Sequence, residues 1–294
     1  MTILVIGNKG QVARALVERA GGDVDVVALG RPALDITDET SIRAAFEAHE
    51  PDLVINASAY TAVDKAESDE AAAFAVNRDG PAHLANVCAE TGTPLIHYST
   101  DYVFDGSKHG AYVATDPTAP LGVYGRSKLA GEQAISAAMN NYVILRTAWV
   151  YSPFGGNFVK TMLRLAADRD ELSVVADQYG CPTSALDIAD ATFVVARQIL
   201  DGHGRYGTYH LCGSGETNWH GLASEVFAVS GDLGGPSATA KPIPAADYPT
   251  PAARPANSRL DGAGLKQDYG IQLPDWRESV RACVARLISE GTTP

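Results

Sequence analysis

The sequence has few of the residues that build metal sites or disulfide frameworks. It contains 294 residues but only four cysteines, which are widely scattered and form no Cys-x-x-Cys pair. The seven histidines show no clustering either, so the spacings typical of zinc sites and of disulfide-rich secreted domains are missing. We therefore expect reduced thiols, no bound metal and a cytoplasmic location.

Positive charge is also scarce. Lysine and arginine total 23 against 35 acidic residues, which gives a net charge of −12. Nucleic-acid backbones and anionic membranes bind dense positive charge, so neither is an expected partner. The chain also lacks an apolar run of about 18 residues and an apolar leader segment, and we expect neither a membrane span nor processing.

What the sequence does have is a regular alternation of short apolar runs and helical patterns. Residues 2–6 form a β-branched run, and residues 11–19 follow with helical spacing. The same reading predicts strands at 24–28, 53–56, 94–98 and 142–146, and helices at about 41–49, at 67–76 and around Tyr124. Continuous apolar strands alternating with helices predict an α/β fold with a doubly wound, Rossmann-type parallel sheet.

The pattern loosens after about residue 150. Glycine- and proline-rich turns occur at 152–156 and 202–207, and a proline-rich stretch covers 236–255. We predict a dinucleotide-binding domain at 1–150 and a smaller, mainly substrate-binding lobe at 151–294, with some of its segments returning to the first domain. The ligand is expected in the crevice between the lobe and the carboxyl ends of the strands.

A glycine turn joins the first predicted strand to the first predicted helix. Gly7 and Gly10 allow a tight turn and a close approach of a pyrophosphate to the helix amino end, and Ala13 takes the third small position. Gln11 and Val12 belong to the same predicted cofactor turn. A strand-to-helix turn without a ligand is the open alternative.

The end of the second predicted strand bears on the choice of nicotinamide. An acidic residue there would bind the adenosine ribose diol, but this chain has Gly30 and Arg31. A cation suits the 2′-phosphate, which favours NADPH and leaves NADH as the second candidate. Asp35, followed by Ile36 in the predicted cofactor segment, could contact adenine or cap the next helix.

Small residues follow the third predicted strand, where a nicotinamide and its ribose would pass. We predict that Ala59, Tyr60 and Thr61 contact the cofactor. The alternative is that small residues at a strand end only permit close packing.

Hydroxyl groups and a cation define the predicted catalytic centre. Tyr124 and Lys128 lie four residues apart, so a helix would place them on one face. A nearby ammonium is expected to lower the phenol pKa from its ordinary value of about 10. Thr100, at the end of the fourth predicted strand, completes a hydroxyl, phenol and ammonium set, and Ser99 is the alternative hydroxyl.

With these residues in place, the chain resembles the extended short-chain dehydrogenase/reductase family. The resemblance runs in order along most of the sequence, which makes it more specific than any single motif. Its segments are residues 7–11, 61–67, 97–104, 123–132, 146–151, 157–163, 248–252 and 254–260.

The resemblance implies an activity and roles. The expected substrate is a dTDP-linked 4-keto-6-deoxy sugar, with reduction of the C4 ketone of dTDP-6-deoxy-L-lyxo-4-hexulose to dTDP-L-rhamnose by NADPH or NADH. Tyr124 would protonate the carbonyl oxygen, Lys128 would bind the nicotinamide ribose, and Thr100 would hydrogen-bond the substrate oxygen.

The resemblance also implies substrate contacts. Trp149 offers an indole N–H and a flat face to a sugar, and Arg254 a bidentate clamp for a phosphate. A core tryptophan and a surface arginine are the alternatives. The implied substrate-binding residues are Thr100, Asp101, Trp149, Asn157, Arg254 and Asn257.

The sequence departs from some relatives at one position in the first helix, and it leaves rival functions open. Ala15 stands where some relatives carry a glutamate that holds a metal at a subunit contact, so a metal-bridged dimer is not expected, while a homodimer is left open. One rival is a 4-ketoreductase of other stereochemistry, for example one giving 6-deoxytalose. Others are a non-catalytic subunit, similar to the regulatory subunit of methionine adenosyltransferase, and an epimerase that retains its cofactor.

Overall fold

The computed structural model describes residues 1–22 and 24–291, so the last three residues of the predicted lobe, 292–294, lie outside it. The strands are β1 (Thr2–Ile6), β2 (Asp25–Leu29), β3 (Leu53–Asn56), β4 (Leu95–Thr100), β5 (Tyr142–Thr147), β6 (Val150–Tyr151), β7 (Glu171–Val175), β8 (Tyr179–Gly180), β9 (Thr183–Ser184), β10 (Gly207–His210), β11 (Thr217–Asn218), β12 (Thr239–Ile243) and β13 (Asn257–Ser258). The α-helices are α1 (Gln11–Arg19), α2 (Glu39–His49), α3 (Val63–Ala66), α4 (Glu70–Phe74), α5 (Gly80–Thr91), α6 (Val123–Ala138), α7 (Phe158–Ala166), α8 (Ala185–Leu200), α9 (Trp219–Asp232), α10 (Ala263–Tyr269) and α11 (Trp276–Ser289).

Six strands form one parallel sheet in the order β10-β5-β4-β3-β1-β2. From β1 the chain moves outward to β2 and then returns to the other side of β1 to form β3. The winding therefore reverses between β1 and β3, which is the topological switch point of a doubly wound sheet. The predicted fold class is confirmed.

Alternate side chains of each central strand enter different layers of the core. Ile3 and Val5 of β1 pack in the layer that holds α1 and α8, whereas Leu4 and Ile6 pack in the layer that holds α2 and α5. Both faces of the sheet are covered by helices, so both sets of side chains have to be apolar. This is why these strands read as continuous apolar runs.

Several element boundaries differ from the prediction. Asp38 accepts a hydrogen bond from the backbone N–H of Thr40, so α2 begins at Glu39, two residues early. Strand β4 continues to Thr100 because its pairing with β5 continues to that residue. The helix predicted at 67–76 is replaced by α4 and a π-helical segment, Ala75–Asp79.

The C-terminal lobe has its own apolar core. Side chains of α7, α9 and α11 pack with β7, which pairs in parallel with β12. Two later elements join the large sheet layer instead: β10 pairs with β5, and α8 packs against α1. The division near residue 150 stays a prediction. Within the described residues, no helix is long and apolar enough to cross a membrane.

Candidate active site

A cavity of about 550 Å³ opens at the carboxyl ends of the central strands, beside the switch point. Its walls come from the loops after β1, β3, β4 and β5 and from the first turns of α6. The predicted site residues that line it are Gly10, Gln11, Val12, Ala59, Thr61, Thr100, Asp101, Tyr124, Lys128 and Trp149.

The glycine turn fits a dinucleotide. Gly7 has φ +111°, and a Cβ there would lie 3.2 Å from the Ala57 carbonyl carbon and oxygen, so a larger residue would be strained. Gly10 is the N-cap of α1, and in the described part of the chain no side chain caps this helix. Its first N–H groups are therefore available to an anion such as a pyrophosphate.

Helix α6 is fixed at its first residue, so the face that carries Tyr124 and Lys128 is held in place. The Glu67 carboxylate accepts a 2.8 Å hydrogen bond from the Val123 backbone N–H. Ser127 accepts a 3.0 Å hydrogen bond from the Asn77 amide, which comes from the π-helical segment. Tyr124 lies between these anchors and Lys128 directly follows the second one, and both side chains line the cavity.

The phenol of Tyr124 is hydrogen-bonded to Thr100, near the Asp101 carboxyl. Burial raises the pKa of Tyr124 to about 12, the Thr100 hydroxyl bonded to it opposes that shift, and the Asp101 charge adds to it. The predicted lowering of the phenol pKa by Lys128 is therefore wrong, because the pKa is raised and Lys128 is not among the groups that shift it. At neutral pH the phenol is protonated, which a proton donor requires.

Asp101 is a buried carboxyl at the same wall. Its Oδ1 accepts a 2.9 Å hydrogen bond from the Thr100 hydroxyl. Burial raises the pKa of Asp101 to about 6, although hydrogen bonds from Ser258 and Thr100 oppose the shift. The carboxyl is well placed to contact a ligand in the cavity.

Lys128 is almost completely buried, with 2 % of its surface exposed. Its Nζ donates a 2.7 Å hydrogen bond to the Tyr98 carbonyl and lies 3.1 Å from Nε2 of His97. Burial lowers the pKa of Lys128 to about 8, against the opposing charge of Glu132. Sequence reasoning passed over His97, whose contact joins residues 31 positions apart.

The predicted adenosine-side residues lie outside the cavity lining. Arg31 is exposed, Asp35 half-buried and Ile36 buried in the core. Asp35 accepts hydrogen bonds from the backbone and hydroxyl of Thr37, which lower its pKa. Because Asp38 caps α2, the capping role suggested for Asp35 is wrong.

Tyr60 turns its side chain away from the cavity. Its phenol donates to Asp69 at 3.1 Å, while its backbone N–H and carbonyl are both held by Asn77. The segment that carries Ala59 and Thr61 along the cavity wall is therefore fixed from behind.

Trp149 stands in a strained conformation at the cavity wall. Its φ of 50° is in the left-handed region, which non-glycine residues rarely adopt. The indole stacks on Trp219 with ring centroids 3.6 Å apart. A Cβ on Gly180 would come within 2.4 Å of the same indole. Such strain, held by packing, is frequent at ligand sites.

The other three predicted substrate residues do not line the cavity. Arg254 is paired bidentately with Asp64 at 2.8 and 3.1 Å. The Asn157 amide donates to Gln11 and to the Ser152 carbonyl and caps α7. These contacts join the lobe to α3 and to α1.

Asn257 has an equally structural set of contacts. Its amide N–H₂ donates to the Lys108 and Gly110 carbonyls, and its oxygen accepts from Arg259. A fully bonded amide has little left for a ligand, so direct substrate contact by Asn157 and Asn257 stays an untested prediction without support from this geometry.

Ala15 is fully buried in the layer between α1 and the sheet. Its position therefore faces the core and not a subunit contact. Among the described residues, no group of three or more His, Cys, Asp or Glu side chains is placed to hold a metal ion.

Sequence reasoning missed several residues that line the cavity. Tyr102 packs edge-on against Tyr124 with ring centroids 5.5 Å apart, and its position two residues after a predicted site residue was the available signal. The other missed lining residues are Lys9, Val63, Tyr98, Thr147, Val150, Gly155 and Gly156. Ser99, the alternative hydroxyl, also lines the cavity, as do Ala57 and Ser58 from the small-residue segment after β3.

The switch-point cavity, the glycine turn and the Thr100, Tyr124 and Lys128 set are together those of the extended short-chain dehydrogenase/reductase class. A family model described as RmlD substrate binding domain matches residues 1–289. The chain belongs to this family.

Individual relatives are similar in sequence to this chain over nearly its full length. A protein of Sinorhizobium fredii named dTDP-4-dehydrorhamnose reductase is 50 % identical over 99 % of both chains. An Escherichia coli protein of the same name is 40 % identical over 98 % of this chain and 99 % of its own.

Solved structures of similarly named proteins have the same fold over nearly the full length of this chain. A dTDP-4-dehydrorhamnose reductase from Clostridium acetobutylicum has a TM-score of 0.92 at 36 % identity, covering 98 % of this chain and all of its own. The Bacillus anthracis reductase, solved in complex with NADP, has a TM-score of 0.90 at 32 % identity, covering 97 % of this chain and 99 % of its own.

Proposed function

We propose that this protein reduces the C4 ketone of dTDP-6-deoxy-L-lyxo-4-hexulose with NADPH and so forms dTDP-L-rhamnose. The observation that carries the proposal is the convergence of Thr100, Tyr124 and Lys128 on one cavity beside the switch point. The full-length relatives named dTDP-4-dehydrorhamnose reductase supply the substrate class.

The cofactor would lie across the amino end of α1 and the wall formed by the β3 loop. Gly7, Gly10, Gln11 and Val12 form the pyrophosphate turn, while Ala59 and Thr61 lie where the nicotinamide half would pass. Exposed Arg31 at the end of β2 suits the 2′-phosphate of NADPH, and NADH is the second cofactor. When bound, the nicotinamide supplies the hydride.

The chain's own residues handle the proton. Tyr124 donates its phenolic hydrogen to the carbonyl oxygen of the sugar as negative charge develops there, and the O–H bond of the phenol breaks as the alcohol forms. Thr100 holds this oxygen and the phenol in one geometry. A donor fixed in a buried wall needs no reorganisation during the reaction, which is the main electrostatic advantage of such a site.

The substrate would enter from the lobe side. Asp101 and Trp149 line the cavity and can contact the sugar. Arg254 lies just outside it, and a diphosphate could compete with Asp64 for the guanidinium, which binds both anions bidentately. Asn157 and Asn257 complete the proposed set as supports of this wall. A cytoplasmic location and a homodimer are further parts of the proposal.

The proposal is tested by following absorbance at 340 nm with the enzymatically generated 4-keto sugar nucleotide and either NADPH or NADH. Cofactor consumption that requires the complete substrate, faster with NADPH, is expected. NMR of the product separates dTDP-L-rhamnose from its C4 epimer, the 6-deoxytalose product. Cofactor binding without turnover would instead favour the regulatory subunit.

A further inference from the structure

His97 is a fully buried histidine that the proposed mechanism does not use. It lies in β4, with Nδ1 3.0 Å from the amide nitrogen of Asn56 and Nε2 3.1 Å from Nζ of Lys128. Burial, together with the charge of Lys128, holds the pKa of His97 well below its ordinary value. The ring is therefore neutral and carries one N–H, and the position of that hydrogen decides which neighbour donates.

The hydrogen bonds of Asn56 determine which ring nitrogen of His97 carries the hydrogen. Oδ1 of Asn56 accepts hydrogen bonds from the backbone N–H of Ser58 at 3.1 Å and from its hydroxyl at 2.8 Å. A backbone N–H can only donate, so this end of the amide has to be the oxygen. The N–H₂ end then faces His97, and Nδ1 of the ring has to accept.

The single N–H of His97 is consequently on Nε2 and points at Lys128. An ammonium has three donors and no lone pair, so it would set two donors against each other across 3.1 Å. A neutral amine accepts from His97 and still donates to the Tyr98 carbonyl, 2.7 Å away. Among the charge states of this buried cluster, only the amine gives every group a partner.

The other charged and titratable groups around Lys128 do not reverse this preference. Glu132, one turn further along α6, favours the ammonium, but its carboxylate is engaged by Arg146 at 2.6 and 2.9 Å. Tyr124, one turn earlier, is a neutral phenol, with the Asp101 carboxyl beyond it. Burial disfavours the charged lysine more strongly than Glu132 restores it.

We propose that His97 is a positioning residue of the reductase, whose Nε2–H faces Nζ of Lys128 and disfavours the ammonium form of that side chain. The inference rests on the proposed function, because it concerns the proton supply of the same site. Such a lysine takes up and releases a proton near neutral pH, which suits a neighbour of a phenol that has to regain its proton after every turnover.

NMR of the full-length, cofactor-free protein tests the inference without any sugar substrate. In protein labelled with ¹⁵N-histidine and held above about pH 9, where Lys128 is an amine, the His97 signals are expected to show the neutral Nε2–H tautomer. In lysine labelled with ¹³C at Cε, Lys128, assigned by its loss in Lys128→Met, is expected to titrate near pH 8. In His97→Gln the side-chain oxygen can face Nζ and accept, so we expect the Lys128 pKa to rise, with about tenfold or greater proton affinity.

His210→Gln is the matched control. His210 is also buried, with 1 % exposed, and ends another parallel strand of the sheet, β10, without contacting Lys128. This variant should leave the titration of Lys128 unmoved. Retained NADPH binding shows that each variant is folded.

An Nδ1–H tautomer in the unaltered protein above about pH 9 would overturn the inference, and this result needs no variant to fold. So would titration of Lys128 near the ordinary lysine value of about 10, or an unchanged pKa in folded His97→Gln. Failure of the proposed function is seen separately, because a protein inactive on the sugar nucleotide could still show the predicted tautomer and titration.

Discussion

The sheet side and the lobe side of the candidate active site are built differently. On the sheet side, Thr100 and Asp101 end or follow β4, and Tyr124 and Lys128 share one face of α6. On the lobe side, the region just outside the cavity lining forms what we call the lobe wall. There Arg254 and Asn257 are held by partners 190 and 149 positions away. The regular wall presents chemical groups to the cavity, whereas the irregular wall uses its polar groups mainly to hold itself together.

The difference follows from how each wall is stabilised. The sheet is covered on both faces by apolar side chains, so its polar residues are confined to the strand ends, where they are available to a ligand. The lobe wall contains two-residue strands such as β8 and β13, and the side chains there have to satisfy backbone groups that a longer sheet would pair.

The largest expected effect comes from the sheet wall. Tyr124→Phe removes the proposed proton donor and should lower kcat by about 10²–10⁴-fold while NADPH binding is kept. The measurement is steady-state turnover together with cofactor titration. Tyr60→Phe is the control, since its phenol bonds Asp69 outside the cavity and its loss should change kcat little. Near-normal turnover of Tyr124→Phe would remove this residue from the mechanism.

Asp101 tests whether the sheet wall keeps a buried carboxyl whose ionisation lowers the stability of the fold. Its folded pKa of about 6 lies above its ordinary 3.8, so the folded state holds the proton more tightly. The contribution of Asp101 to stability is therefore greatest below about pH 4 and falls as the pH rises from about 4 through about 6, by on the order of 2–3 kcal/mol. Asp101→Asn should stabilise the protein at pH 8, hardly change it at pH 4, and reduce activity.

Chemical denaturation at both pH values measures the effect of Asp101→Asn. Asp105→Asn is the matched control with the opposite sign. Hydrogen bonds from Ser107 lower the pKa of Asp105, so its loss should destabilise the protein at pH 8. Destabilisation by Asp101→Asn at pH 8 would show that the ionised Asp101 carboxyl does not lower the free energy of unfolding.

Asn257 tests the lobe wall. Asn257→Ala leaves two backbone carbonyls without their donor, so we expect the free energy of unfolding to fall by about 1–3 kcal/mol. The KM for the sugar nucleotide should stay unchanged if the residue is structural. Asn141→Ala, which loses one surface bond to the Gly92 carbonyl, should cost less. A raised KM with unchanged stability would show that Asn257 contacts the substrate. The two walls would then not differ in the way described here.

The smallest effect concerns the exposed end of β2. Arg31→Ala should raise the KM for NADPH by about tenfold, because a bond from a charged donor to a phosphate is worth about 1.5–3 kcal/mol and solvent weakens an exposed one. The KM for NADH should hardly change, and this is the internal control. Equal changes for both cofactors would show that Arg31 does not recognise the 2′-phosphate.

Local patterns in the sequence were sufficient for the sheet wall. Strands β1 and β3 have the predicted ends, and the spacing of Tyr124 and Lys128 gave their common helix face. Each of these signals depends on residues a few positions apart, and covered parallel strands are apolar for a reason that the sequence itself displays.

The remaining features depend on contacts between distant parts of the chain. The approach of Lys128 to His97, and of Arg254 to Asp64 across 190 positions, has no periodic signal. The raised pKa of Tyr124 was missed for the same reason, since it comes from burial of the phenol, which the spacing of two residues on one helix does not reveal.

Transfer of label from cofactor to sugar tests the proposed reduction most directly. The enzyme would be supplied with NADPH deuterated on the transferring face of C4 and with dTDP-6-deoxy-L-lyxo-4-hexulose, and the product analysed by NMR. We predict dTDP-L-rhamnose with deuterium at C4 of the sugar and nowhere else. A product without deuterium at C4, or with the opposite configuration there, would contradict the proposal.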